Sequence, residues 1–245
     1  MKELRRERSE MDYKLRDAER RQEELDKKEK QWKEFEAELD RQEAEARNYP
    51  VPEFLKASGH TDKVNIAITG AAGTGKSHLN NRLREVKRDD PTWAPVGVVE
   101  TTQEPTMYEF PGQSLARVWD LPGAGTPKWP LTDYIRRVGL RHFDAVLVVC
   151  AERFTEADLK LMEELTQYKV PYFAIRQKVG QAIENNLIVN EVPGGSTKQE
   201  IFAYLRKQGV QRPYLIDSFE PTKHDMPKLR RELVATITNA RGGEL

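Results

Sequence analysis

A mostly parallel, doubly wound α/β sheet preceded by one long charged helix is the fold that this 245-residue chain predicts. Three observations carry that expectation. Residues 1–47 contain no proline or glycine and interleave both charge signs among helix-favouring residue types. From about Val64 onward, apolar β-rich runs alternate with helical patterns and are punctuated by glycine and proline turns. The first of those runs ends in a glycine-rich loop that opens a helix, the strand–loop–helix unit of such sheets. The expected organisation is a charged helical arm over 1–47, a linker over 48–61, the α/β domain over 62–240 and a tail over 241–245.

As a single helix the arm would extend about 70 Å, at a rise of about 1.5 Å per residue. Leu4, Met11, Ala18, Leu25, Trp32, Leu39 and Ala46 recur every seventh residue, the period of a coiled-coil seam. A two-stranded coiled coil also needs a second apolar column. The places four residues on hold Arg8, Leu15, Gln22, Glu29, Glu36 and Glu43, and three residues on only Phe35 is apolar. Two readings stay open: a weak coiled-coil arm that dimerises or binds a protein partner, and a solvated helix held by Glu–Lys pairs. The stretch NYPVPEFLKASGHTD ends the helix at its prolines.

Composition excludes several classes of function. A formal net charge of zero removes the basic footprint that nucleic-acid binding requires, so no nucleic-acid partner is expected. The lone Cys150 closes the apolar run AVLVVC and reads as a buried side chain. His60, His78, His142 and His224 lack zinc-site spacing. No run approaches the length of a membrane span, and the start MKELRRERSE has neither a signal peptide's apolar centre nor a glycine for myristoylation. A cytoplasmic location is the expectation.

The segment VNIAITGAAGTGKSHLNNRLREV holds the most chemistry. Gly70, Ala71, Ala72, Gly73, Thr74, Gly75, Lys76 and Ser77 match GxxxxGK[ST] between an apolar strand and a helix carrying Leu79 and Leu83. Glycines let backbone N–H groups turn inward on phosphates, and the helix N-terminus adds its positive end. Lys76 is expected to reach the β- and γ-phosphates and Ser77 to ligate Mg²⁺, with the adjoining His78 part of the same nucleotide site. The strand in ARVWDLPGAGT ends in Asp120, Leu121, Pro122 and Gly123, a DxxG switch. Asp120 is expected to hold the Mg²⁺ shell, and the Gly123 N–H to sense the γ-phosphate. Between the two motifs, Thr101 and Thr102 lie where a switch threonine would close over the metal. Further on come AVLVVC, an amphipathic helix from Thr155 to Tyr168, the strand PYFAIR, a helix near Lys198 to Gln208, the strand PYLID and a helix from Met226 to about Asn239. The motifs fall at strand C-terminal ends, where such sheets bind ligands.

The residues GVVETTQEPTMYEFPG, WDLPGAGT, DAVLVVCAERFTEADLKLMEEL and PYLIDSFEPTKHDMPKLRREL resemble the immunity-related, interferon-inducible GTPases over about Asp62 to Thr238. The resemblance implies a P-loop NTPase G domain that binds GTP and GDP with Mg²⁺. It also implies slow hydrolysis that quickens when two G domains form a homodimer, and work at intracellular membranes. By the resemblance, Glu100 matches the family's switch glutamate, implicated in activation across the dimer, and Thr102 its switch threonine. Members usually continue into a C-terminal helical domain, whereas this chain stops at Leu245. Two positions depart from GTPase practice. Ala124 follows the DLPG glycine where many small GTPases place a catalytic glutamine. In IRQKVG, Lys178 is in place to stack along the base, but Gln177 replaces Asn or Thr and Gly180 replaces the guanine-reading Asp. Asp217, in the loop where the family has SN and beside Ser218, is the first candidate to accept from guanine instead. Glu184 is the second.

Two functions follow from the sequence. One is a Mg²⁺-dependent GTPase in which Lys76, Glu100, Thr102 and Gly123 serve catalysis. The other is a non-hydrolysing nucleotide-binding interaction protein with relaxed base specificity. An ATP-using P-loop enzyme is a third reading, against which the switch order and the RFTE segment argue.

Overall fold

Successive side chains on a strand point to opposite faces, and this alternation decides how the sheet is covered. Along the fully buried strand 145–150, Ala145, Leu147 and Val149 join one apolar cluster, while Val146, Val148 and Cys150 join the other. A strand apolar on both faces needs helices on both. The computed structural model describes residues 2–47, 49–59, 61–97, 101–112 and 114–240. It divides into two compact units, Met1–Tyr49 and Pro50–Leu245.

In the second unit, six strands form one sheet: β1 (Val64–Thr69), β2 (Thr106–Glu109), β3 (Ala116–Asp120), β4 (Ala145–Cys150), β5 (Tyr172–Arg176) and β6 (Tyr214–Leu215). Their order is β2-β3-β1-β4-β5-β6. Only β2 runs antiparallel, against β3. The flanking helices are α3 (Lys76–Leu83), α4 (Leu131–Val138), α5 (Glu156–Gln167), α6 (Val179–Asn190), α7 (Gly194–Lys207) and α8 (Met226–Ala240), preceded by α1 (Lys2–Arg47) and α2 (Glu53–Ala57). Leu79 and Leu83 of α3, with Met226, Leu229, Leu233 and Ile237 of α8, cover one face. Tyr134, Val138, Leu161, Leu165 and Leu205, from α4, α5 and α7, cover the other. Each such leucine, fully buried, contributes about 1.5–3 kcal/mol of transfer free energy. The doubly wound sheet expected from the sequence is therefore present, and it reverses direction at β1, whose neighbours are β3 and β4. That reversal opens a crevice beyond the C-terminal end of β1.

Several elements differ from the sequence expectation. β2 is an exposed edge strand without an apolar run, so it gave no pattern to read. α6 buries only Val179, and α4 is a short helix between Pro130 and Gly139. The strand expected over PYLID pairs only at Tyr214 and Leu215, because the chain turns there into the crevice. Within the stretch expected as linker, α2 packs on the domain: Leu55 is fully buried and Phe54 lies 5.0 Å from Trp119. α5 starts on a reciprocal cap, in which the Thr155 hydroxyl accepts from the Asp158 N–H and the Asp158 carboxylate accepts from the Thr155 N–H.

The first unit is the 46-residue α1. Along it, Asp17 pairs with Arg21 and Glu29 with Lys33, each at 2.7 Å and one turn apart. Met11, Leu25, Trp32 and Leu39 of the heptad column are exposed, and Trp32 lies 5.8 Å from Phe35. Leu4 and Ala46 of that column, and the tail 241–245, fall outside the described side chains.

Tyr134 ties the helical layer to the crevice. Its ring is wholly buried, and its hydroxyl donates to the Pro122 carbonyl at 2.9 Å. With that proton committed, the Thr69 hydroxyl must be the donor in the 2.9 Å contact it makes with the phenol. Burial raises the phenol's pKa above its ordinary value, so it stays a neutral donor. Tyr134→Phe leaves two buried groups unpartnered and is expected to lower stability by about 1–3 kcal/mol, measurable by urea unfolding; an unchanged midpoint would contradict this linkage.

Candidate nucleotide site

The chain leaves β1 so close to β4 that only glycine passes. At Gly70, with φ +137°, a Cβ would lie 2.1 Å from the Val149 carbonyl oxygen. The loop then curls over Ala71 to Thr74, pinned by the Thr74 hydroxyl donating to the Ala71 carbonyl at 3.0 Å. Gly75, with φ +90°, turns it into α3. The first N–H groups of a helix have no partners inside the helix, so this geometry aims several donors and the positive helix end at one place. The Lys76 ammonium lies within the loop, donating to the carbonyls of Gly70 at 3.1 Å and Ala71 at 2.9 Å.

Beside the loop, three oxygen-bearing side chains converge. The Ser77 hydroxyl donates to Oδ2 of Asp120 at 2.6 Å, and the Thr102 hydroxyl donates to the same atom at 3.1 Å. The two hydroxyls are 3.2 Å apart. Asp120 is buried, and its Oδ1 has no hydrogen-bond partner. Burial pushes its carboxyl pKa up, opposed by the Ser77 bond, the Lys76 charge and the Thr102 bond. Two hydroxyls and a buried carboxylate suit a hard cation such as Mg²⁺. Of the two candidate threonines, Thr101 is exposed and donates to the Pro95 carbonyl. Gly123 abuts the phosphate loop: a Cβ there would lie 2.9 Å from both N and Cβ of Ala72. The next amide, of Ala124, donates to the Gly70 carbonyl at 3.1 Å. Glu100 lies outside the described residues.

The other end of the crevice is built by the loops after β5 and β6. Gln177 is buried, and its amide joins three segments. Its Nε2 donates to the Gly75 carbonyl at 3.2 Å and contacts the Ser218 hydroxyl at 2.8 Å, while its Oε1 accepts from the Ser218 N–H at 3.3 Å. Lys178 takes a left-handed turn, φ 58°, into α6. Asp217 is buried and accepts from the Gly180 N–H at 3.0 Å and from the Phe219 N–H at 2.9 Å. His78 packs against Phe219 with ring centroids 4.6 Å apart; burial, then the Arg82 charge, hold its pKa below the ordinary value. One cleft of about 1240 Å³ runs from Gly73, Lys76 and Ser77 past Thr102 to Lys178, Gly180 and Asp217.

A profile described as interferon-inducible GTPase (IIGP) matches residues 29–245. The chain belongs to the interferon-inducible GTPase family. It is 32% identical over 185 residues to interferon-inducible GTPase 5 of Rattus norvegicus, covering 71% of this chain and 40% of that protein. It is 29% identical over 174 residues to immunity-related GTPase family M protein 2 of Mus musculus, covering 70% of this chain and 44% of that protein. The match thus spans less than half the length of these relatives. A probable GTP-binding protein engB of solved structure aligns with a TM-score of 0.48 at 14% identity, over 72% of this chain and 99% of that one.

Of the residues singled out in the sequence, the fold brings together the 70–77 loop, His78, Thr102, Asp120 and Gly123 at one end of the cleft and Lys178, Asp217 and Ser218 at the other. Sequence reading gave no role to Phe219 or Glu220, which line the same cleft, because a loop after a two-residue strand has no periodicity. It treated Gln177 as a departure from Asn or Thr, but the length of its amide spans Gly75 and Ser218. Gln177→Ala removes that junction and is expected to destabilise the domain by about 1–3 kcal/mol, read by chemical denaturation; wild-type stability would contradict the role.

Proposed function

We propose that the domain binds a guanine nucleoside triphosphate with Mg²⁺ and hydrolyses it slowly, faster when two G domains meet. The observation that carries this reading is the packing of Gly123 and the Asp120–Ser77–Thr102 cluster directly against the 70–77 loop. Backbone amides of Gly73 to Ser77 would hold the phosphate oxygens. Lys76 would exchange its two loop carbonyls for the β- and γ-phosphates and offset charge as the terminal bond breaks. Ser77 and Thr102 would hold Mg²⁺ directly, and Asp120 would steady its shell. The metal supplies neutralisation of charge on the phosphate oxygens when bound. Gly123, pressed on Ala72, would transmit the presence of the γ-phosphate to the switch. Lys178 would stack along the base.

Ala124 supports the dimer requirement. It is buried and its methyl group cannot orient a water, so rapid hydrolysis would need a group from a second copy. Glu100 is the residue proposed for that interface, on the family resemblance alone. A non-hydrolysing reading is favoured by the same alanine together with Gly180: nucleotide would then order the switches to recruit a partner. The exposed Met11, Leu25, Trp32 and Leu39 of the heptad column support a dimerising or partner-binding arm. No helix among the described residues is long and apolar enough to cross a membrane; peripheral work at an intracellular membrane is proposed on the family resemblance alone.

Calorimetry with GTP, GDP, XTP and ATP in Mg²⁺, followed by phosphate release at rising protein concentration, tests the proposal. Lys76→Ala is expected to weaken triphosphate binding about 10- to 100-fold, and specific activity is expected to rise with concentration. Binding without turnover supports the interaction reading. No heat with any purine triphosphate contradicts both.

A further inference from the structure

Gly180 is more than a missing carboxylate. A Cβ at that position would lie 2.7 Å from Oε2 of Glu220 and 2.9 Å from Oδ2 of Asp217. Two carboxylates from the loop after β6 thus stand where a side chain on residue 180 would begin, and a glycine there leaves both in place. Their surroundings separate their roles. Asp217 is 4% exposed, and each of its oxygens accepts from a backbone N–H, one on Gly180 and one on Phe219. It fastens the two loops together. Glu220 has about a third of its side chain exposed and lines the cleft. Lys223 meets its Oε1 at 2.5 Å and His224 meets its Oε2 at 3.0 Å. Both partners are other side chains of its own turn, and they hold its carboxyl below the usual range, so it is charged at neutral pH.

We infer that Glu220 is the residue that selects guanine, its carboxylate entering from the loop after β6 the space that a side chain at position 180 would occupy. The inference rests on the nucleotide-binding reading above and names the specificity determinant of that site. Guanine offers two parallel donors, N1–H and the exocyclic N2–H₂, and a carboxylate with accepting capacity left on both oxygens can take both, a pairing stronger than neutral hydrogen bonds. Adenine has no donor at N1, and xanthine turns an acceptor, its C2 carbonyl, toward the carboxylate. A carboxylate facing that edge disfavours both, because adenine N1 and the xanthine C2 oxygen set lone pairs against its own where guanine offers donors. Gly180 and Glu220 thereby form one device: the glycine removes the obstacle and the glutamate supplies the acceptor.

Glu220→Gln tests this with little change of shape. A carboxamide accepts from N1–H but donates to whatever stands at C2, so it matches xanthine. Equilibrium titration of fluorescent GTP, XTP and ATP analogues in Mg²⁺ is expected to show wild type preferring GTP. In Glu220→Gln, GTP should weaken about 10- to 100-fold while XTP tightens, so that the preference reverses. Glu220→Ala should lower GTP affinity without the gain for XTP. The thermal midpoint without nucleotide checks that each variant folds. A GTP-to-XTP ratio in Glu220→Gln equal to wild type overturns the assignment, as does a wild type that binds the two equally. A wild type that binds no purine triphosphate overturns instead the nucleotide-binding reading beneath it.

Discussion

The contact on which the site depends is the passage of Gly70 beneath the Val149 carbonyl. With 2.1 Å available to a Cβ, the backbone itself is the packing surface there, and the loop is pressed against the end of β4. That contact fixes where the loop lies relative to the sheet. Two other segments then lean on the loop through three contacts: the Ala124 N–H on the Gly70 carbonyl, Gly123 on Ala72, and the Gln177 amide on the Gly75 carbonyl. Each approach uses main-chain atoms of the loop, so what the loop presents to the crevice is largely backbone N–H. A surface of that kind favours anions without needing many cationic side chains, consistent with a chain of zero formal charge.

Burial sharpens the chemistry on both sides of this surface. Lys76 and Asp120 are both sequestered: the ammonium donates to two loop carbonyls, while Oδ2 of the carboxylate accepts from two hydroxyls and its Oδ1 has no hydrogen-bond partner. A phosphate chain and its metal would bring opposite charge to each. Tyr134 and Trp129 extend the support outward. Tyr134 holds the Pro122 carbonyl of the switch, and the Trp129 indole donates to the Gln103 carbonyl at 3.0 Å, next to Thr102. Both rings are buried in the same apolar cluster, so the switch backbone is anchored to the core of the domain.

The phosphate end was legible in the sequence because its residues sit in one continuous stretch with a fixed spacing, and Asp120 because it closes an apolar strand. Thr102 was separated from Thr101 in the sequence by the family resemblance alone, since both are polar residues in a segment without periodicity; in the structure Thr102 donates to Asp120 and Thr101 to the Pro95 carbonyl. The base end was harder to read for a physical reason. It is made by loops 40 residues apart in the chain, Gln177–Gly180 and Asp217–Glu220, whose contact depends on the parallel pairing of β5 with β6. In one dimension Gly180 looks like a deletion of function; in three it marks where Asp217 and Glu220 approach. α6, with a single buried residue, and the exposed edge strand β2 offered no pattern of burial to find.

The sheet, the switch and the base loops therefore converge on one claim, that main-chain amides of the 70–77 loop hold a phosphate chain. Amide hydrogen exchange resolved across Gly70–Ser77, with and without Mg²⁺ and GTP, tests it most directly. Slowed exchange centred on Gly73 to Ser77 when nucleotide is added is the result this account predicts. Exchange in that stretch unchanged by saturating nucleotide, with protection arising elsewhere or nowhere, would contradict it.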